Sequence, residues 1–209
     1  MSTSIPLSLS LSNESAKKGL KLVVKRNKML SSSVDDVLKV QGVNWTVRKA
    51  IEYVPITVTI DLHINDDGVE IFDVVQTVGN AAKSEEPRTL DGEARARVSS
   101  VFGPVISKSA RVKVADVAKI SPFLAKTWSE LGQETAGADE SIAIFSYARG
   151  DTSQPKAREW ESYQTFGFAD IQIDEKTVER KYVVRLFFKS SSLPTPLEKR
   201  LVYDFVSLV

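Results

Sequence analysis

Apolar and polar residues alternate with a period of two along most of the chain. In Ile56–Ile64 every second residue is apolar and the residues between are polar, which is typical of a half-buried strand. The turn Asn65-Asp-Asp-Gly68 then leads into another alternating run, the pattern of a β-hairpin. Further strand-like runs lie at Leu20–Met29, Val69–Val78, Ala94–Val98, Ala110–Val114, Ser141–Arg149, Trp160–Ile173, Val178–Lys189 and Arg200–Val206. Nine or ten strands in meander order predict a mainly β fold, an antiparallel up-and-down barrel.

Short helices interrupt this series at two places. Ser33 and Asn44 are capping residues for a helix pair between the first two strands, and Pro55 ends the pair. A helix pair at this point of a meander barrel covers an open end, so it is predicted to form a lid. One inserted helix, from Ser121 to Gly132, is predicted before the last four strands.

Composition narrows the chemistry of the chain. The 209 residues carry 28 Lys and Arg against 27 Asp and Glu, and a net charge of +1 gives no attraction to nucleic acid. Without cysteine and with His63 as the single histidine, neither thiolate nor two-histidine metal sites can form, and we expect no metal and no cofactor.

The same features give an expected organisation and location. No apolar stretch approaches the ~18 residues of a membrane span, and the start of the chain lacks the basic region of a signal peptide. We therefore expect a cytoplasmic protein without membrane insertion. It should have a flexible N-terminal segment, 1–17, and a single barrel domain, 18–209.

The segment Val34–Lys49 resembles the helix-turn-helix lid of the intracellular fatty-acid-binding proteins, which belong to the calycin superfamily. It carries Leu38, a Gly-Val pair and an Arg-Lys pair at that family's spacing, followed by Pro55 and a strand. The hairpin Ile64–Ile71 is similar to the family's second turn. The resemblance covers roughly residues 20–80 and implies a barrel around a cavity for a lipophilic small molecule.

The family's carboxylate clamp is an Arg-x-Tyr motif on the last strand. In this chain the last strand reads Lys199-Arg-Leu-Val-Tyr203, in which the arginine and the tyrosine have a different spacing. Arg180-Lys-Tyr182 has the family's spacing but lies one strand earlier.

Size and layout also resemble the enlarged lipocalin-like barrels of fungal natural-product pathways. Among these are hetero-Diels–Alderases that join a tropolone quinone methide to a humulene-type terpene alkene. This resemblance implies a pericyclase that needs no metal and no covalent nucleophile.

Two polar side chains stand on the otherwise apolar face of the strand Val178–Lys189. Arg180 and Tyr182 are therefore candidate catalytic residues that donate hydrogen bonds to a ligand oxygen. A position at the barrel rim, or an ion pair with a carboxylate, is the alternative for Arg180. The opposite face, which carries Lys181 and Arg185, is predicted to face solvent.

Aromatic residues and one amide are predicted to bind the substrate. The candidates are Trp160, Gln164, Phe166, Phe168, Phe188 and Trp128. Ordinary core packing is the alternative for each, and Trp128 belongs either to a lid or to the core.

Three further observations concern charged residues elsewhere on the strands. His63 and Asp61 share a strand face, where they form either a general-base pair or part of a solvated surface. The rows Glu93/Arg95/Arg97 and Arg111/Lys113 are predicted to be solvated outer faces.

Three functions remain open at this point. The chain is a cofactor-free pericyclase, a non-catalytic carrier of a fatty acid or terpenoid, or a structural protein whose barrel is filled by its own side chains.

Overall fold

The mainly β fold predicted from the sequence is confirmed. The computed structural model describes residues 3–79, 82–126, 142–155 and 157–209. The elements are α1 (Asn13–Lys18), β1 (Leu20–Asn27), α2 (Asp35–Val40), α3 (Trp45–Tyr53), β2 (Ile56–Ile64), β3 (Glu70–Val78), β4 (Ala82–Glu86), β5 (Arg95–Ser99), β6 (Gly103–Lys113), α4 (Val114–Ile120), β7 (Ile142–Gly150), β8 (Glu161–Gln172), β9 (Val178–Lys189) and β10 (Leu197–Leu208).

The ten strands form one antiparallel sheet in the order β4-β3-β2-β1-β10-β9-β8-β7-β6-β5. Pairing of β1 with β10 brings the first and last strands side by side. The segment after β4 spans the gap between the two sheet edges, since Thr89 bridges to Ile71 of β3 and Asp91 bridges to Ala110 of β6. The sheet therefore curls into a barrel wall with an inside and an outside.

The inner face carries the main hydrophobic core. Alternation along β2 places Ile60 and Leu62 inside, where both are fully buried together with Leu22, Val24 and Phe72. Thus the period-two pattern of the sequence corresponds to the observed burial of β2.

The helix pair α2–α3 lies between β1 and β2 as predicted, and the Asn44 side chain accepts a hydrogen bond from the Thr46 N–H. A helix precedes the last four strands as predicted, but the structure has it at Val114–Ile120, whereas the predicted helix began at Ser121. Residues 121–126 form turns, and residues 127–141, which include Trp128, lie outside the described residues. The start of α4 was missed because Val112 and Val114 continue the alternating pattern of β6 across the end of the strand.

A second layer covers the outer face of β7, β8 and β9. Val117 of α4 and Leu124 pack there against Phe145 and Phe187, and the Thr165 hydroxyl donates to the Leu124 carbonyl oxygen at 2.9 Å. The prediction that this face of β9 is solvated was wrong.

The side chains on that face confirm its burial. Lys181 is 1% exposed and Arg185 is 5% exposed. Because β9 is covered on both faces, its residues 180–188 are buried without interruption, although three of them are charged.

Two elements had no clear signal in the sequence. The short strand β4 reads Ala-Lys-Ser-Glu-Glu, a polar composition that favours a loop, yet it pairs with β3. Helix α1 lies, except for its last residue, within the segment 1–17 that was predicted to be flexible. Ile5 and Leu11 of that segment belong to the barrel core, and the flexibility of residues 1–17 stays a prediction.

Candidate functional site

A cavity of about 480 Å³ lies inside the barrel, beneath the helix pair. Val37 and Leu38 of α2 and Ile51 of α3 cover the cavity, while inward-facing residues of the barrel strands form its walls. The volume is within the range of about 300–1,000 Å³ that small-molecule sites occupy. The helix pair is therefore placed as a lid over the cavity.

Apolar and aromatic side chains line much of this cavity. Trp160, Phe166, Val184 and Leu186 contribute on the β8–β9 side. Phe166 packs edge-on against Phe72, with ring centroids 5.2 Å apart. These walls suit a lipophilic ligand with a flat or extended skeleton.

Polar side chains also face the cavity, in larger number than the sequence suggested. They are Arg26, Gln41, Gln76, Ser84, Glu86, Arg88, Arg97, Ser100, Ser107, Ser109, Ser146, Ser162, Gln164, Tyr182 and Tyr203. Three cations and one carboxylate give this lining an excess of two positive charges.

The three arginines differ in their protein partners. Arg88 forms an ion pair with Glu86 at 2.5 Å and lies 5.1 Å from the centroid of the Phe166 ring. Arg26 donates from Nη2 to the Ser32 carbonyl oxygen at 3.0 Å and has no carboxylate partner among the described residues. Within those same residues Arg97 forms neither an ion pair nor a hydrogen bond, and its Nε is buried, as is the Nε of Arg26.

Tyr203 stands beside these charges on the inner face of β10. Burial raises the pKa of its hydroxyl to about 12, and Arg26, Glu86 and Arg88 act on the same group electrostatically. The phenol therefore keeps its proton at neutral pH and is available as a hydrogen-bond donor.

The structure brings four of the predicted substrate or catalytic residues to the cavity. Tyr182, Trp160, Gln164 and Phe166 all line it. Phe188 lies behind Trp160, with ring centroids 6.0 Å apart, and is not part of the lining. Trp128 is outside the described residues, so its place stays a prediction.

Arg180 and Phe168 lie towards the opposite end of the barrel, away from the lid and outside the cavity lining. The Arg180 guanidinium donates to the Pro6 carbonyl oxygen at 2.7 Å and lies 4.9 Å from the centroid of the Phe168 ring. The inference that Arg180 faces a ligand assumed an open interior at this end, whereas residues of the N-terminal segment occupy it.

Sequence reasoning missed Arg97 because it assigned β5 to the wrong face. Arg97 faces inward, whereas Val98 is 81% exposed, so the expectation of a solvated Arg95/Arg97 row fails for Arg97. Arg111 of β6 also faces inward and forms an ion pair with Glu70. The tyrosine of the last strand, Tyr203, was the available signal for this part of the site.

The remaining candidate pair lies on the outer face of β2, away from the cavity. His63 Nδ1 is 3.0 Å from Asp61 Oδ1, and Asp61 also pairs with Lys21 at 3.0 Å. Within the described parts of the chain, no three metal-ligating side chains come together. No helix among those parts is both long and apolar enough to cross a membrane.

Comparison with known proteins gives similarity at the level of whole structures. The sequence matches no protein-family model and no curated protein. A solved structure of the REP1-NXSQ fatty acid transporter is similar with a TM-score of 0.45 and 11% identity, covering 95% of this chain and 100% of that one. The fluorescent protein UnaG is similar with a TM-score of 0.47 and 14% identity, covering 88% and 95%.

Proposed function

We propose that this barrel binds a lipophilic small molecule with an anionic group, such as a long-chain carboxylic acid. The observation that carries the proposal is that two arginines, Arg26 of β1 and Arg97 of β5, face the cavity without a carboxylate partner among the described residues. A cytoplasmic location, as expected from the sequence, is part of this proposal.

The physical reason is the cost of unpaired charge in an apolar setting. A guanidinium removed from water is stabilised only if it meets an anion or several hydrogen-bond acceptors. Arg88 meets Glu86, whereas Arg26 and Arg97 are available for a ligand carboxylate, and the protonated Tyr203 adds a donor. The apolar walls then hold the carbon skeleton.

The test compares an acid with its neutral ester. Hexadecanoic acid and its methyl ester are titrated against the wild type, Arg97→Met and Arg95→Met by displacement of a fluorescent probe. Arg95 lies on the same strand but pairs with Asp91, so its variant is the matched control. We expect Arg97→Met to weaken acid binding about ten- to a hundredfold, as loss of a charged hydrogen bond does, and Arg95→Met to change it little.

Equal binding of acid and ester by the wild type would contradict an anionic ligand. Equal acid affinity in Arg97→Met and Arg95→Met would remove Arg97 from the site.

A second candidate function is a cofactor-free cycloaddition between a quinone methide-type polyketide and a terpene alkene. Tyr203 favours it, because a protonated phenol in an apolar cavity suits stabilisation of an oxygen that gains charge in the transition state. Turnover of a tropolone quinone methide precursor with humulene, lost in Tyr203→Phe, would support catalysis. Tight binding of the acid without turnover would support a carrier.

A further inference from the structure

The polar side chains of the cavity form two groups on different parts of the barrel wall. The first contains Arg26 of β1 and Arg97 of β5, to which the proposed function assigns the anionic group, together with Tyr203 of β10. The second is neutral and lies on β6, β7 and β8, where Ser109, Ser146 and Gln164 line the cavity.

The neutral group is a continuous row across three strands. Ser109 lies directly opposite Ser146 in the pairing of β6 with β7, and Ser146 lies directly opposite Gln164 in the pairing of β7 with β8. The Ser109 hydroxyl donates to the Ser146 hydroxyl at 3.0 Å, and both serines are buried. An apolar chain passing this row would leave its polar atoms without ligand contacts.

Gln164 has hydrogen-bonding capacity that the described residues do not use. Its Nε2 donates to the Ser162 hydroxyl at 3.3 Å, while its second N–H and its carbonyl oxygen have no partner among those residues. A primary amide carries two N–H donors and a carbonyl acceptor, so one donor and the acceptor are left for a ligand. A ligand hydroxyl satisfies both, whereas an alkyl chain satisfies neither.

We propose that the ligand is a hydroxylated acid, whose hydroxyl group binds to Gln164 and Ser146. This inference rests on the proposed function, since it assumes that the anionic group binds near Arg26 and Arg97. On the sheet β8 is separated from β1 by β9 and β10, and from β5 by β6 and β7. With about 4.8 Å between neighbouring strands, the two groups are far enough apart for the hydroxyl to lie several carbons from the acid.

The experiment compares hexadecanoic acid with a series of monohydroxylated hexadecanoic acids that carry the hydroxyl at successive carbons. Dissociation constants are measured for the wild type, Gln164→Leu and Gln172→Leu. Gln172 is the matched control, because it lies on the same strand, is exposed and donates to the Asp174 carbonyl oxygen. We expect one or more mid-chain hydroxy acids to bind the wild type and Gln172→Leu about tenfold more tightly than the parent acid.

In Gln164→Leu this preference should disappear while binding of the parent acid persists. Ser146→Ala is a second variant with a smaller change in shape, and it should reduce the preference in the same direction. If no hydroxy acid binds more tightly than hexadecanoic acid, or if the preference survives in Gln164→Leu, the inference is overturned. In that case a retained preference for the acid over its methyl ester would leave the proposed function intact, whereas loss of both preferences would overturn both.

Discussion

The two ends of the barrel use buried cations in different ways. At the end away from the lid, Lys181 contacts Glu179, Asp204 and Thr3, and Arg111 forms a bidentate ion pair with Glu70. In the cavity beneath the lid, Arg97 has no such partner among the described residues.

This difference separates structural charge from charge that is available to a ligand. A buried cation whose partners belong to the chain stabilises the fold, and removal of the cation leaves those partners unpaired. A cation that faces a cavity without a partner contributes little to stability and much to recognition of an anion. By this criterion Arg180, which does not line the cavity and donates to the Pro6 carbonyl oxygen, belongs to the first kind. Arg26 also donates to a carbonyl oxygen, that of Ser32, but it lines the cavity.

The largest effect is expected from Lys181→Met, which should lower the free energy of unfolding by about 3 kcal/mol, the usual cost of breaking a buried ion pair. The variant leaves the carboxylates of Glu179 and Asp204 without their cation. Denaturant unfolding measures the change, with the exposed Lys176→Met as control. If Lys181→Met loses no more free energy of unfolding than Lys176→Met, the stability of the barrel end away from the lid does not depend on the Lys181 charge.

Arg180→Met should lower stability by about 2 kcal/mol, because it removes a charged hydrogen bond and a contact with the Phe168 ring. Affinity of the folded protein for hexadecanoic acid should stay within about twofold, since the side chain does not line the cavity. Chemical denaturation and a binding titration on the same preparation check both. If Arg180→Met weakens acid binding and leaves the free energy of unfolding unchanged, Arg180 contacts the ligand and is not a structural residue.

Arg26→Met should have the opposite profile. Acid binding should weaken about tenfold or more, while the free energy of unfolding should fall by only about 1 kcal/mol, because the variant loses one hydrogen bond to the Ser32 carbonyl oxygen and leaves no carboxylate unpaired. The same two measurements apply. A large loss of stability would place Arg26 with the structural cations and erase the contrast between the two ends.

The smallest expected effect is on the pH dependence of the free energy of unfolding above pH 10. The pKa of Tyr203 is raised from 10.0 to about 12, so above pH 10 the folded chain holds a proton that the unfolded chain has lost. Stability should therefore fall between about pH 10 and pH 12, by about 1 kcal/mol per pH unit for this group. Tyr203→Phe should reduce that slope in unfolding titrations.

A matched variant of Tyr163, on the outer face of β8, tests whether the loss of stability at alkaline pH depends on a tyrosine in the cavity. Tyr163 also has a pKa raised to about 12, by burial and by its hydrogen bond to Glu161, and Tyr163→Phe should reduce the slope as well. Of these two tyrosines, Tyr203 faces the cavity and Tyr163 does not. Bound acid should therefore alter the pH dependence of unfolding in the wild type and in Tyr163→Phe, and not in Tyr203→Phe. If bound acid changes the pH dependence of unfolding equally in the wild type and in both variants, Tyr203 does not contact the ligand.

The local pattern of the sequence was sufficient for most of the fold. Period-two alternation located β2 and β9 with the bounds observed, and turn signals between neighbours indicated the meander. The lid followed from the caps and from the place of the helix pair in the strand order. These features depend on interactions between residues close in the chain, which the sequence displays directly.

Only the tertiary structure decided which strand face meets the cavity and which charge has a partner. In β5 the apolar residues point outward and Arg97 points inward, so alternation alone assigned the wrong side. In β9 both faces are covered, one by the core and the other by Leu124 and its neighbours. Residues 3–6 meet Arg180 and Lys181 across more than 170 positions of sequence. Such long-range packing determines the environment of a charge, and no local pattern contains it.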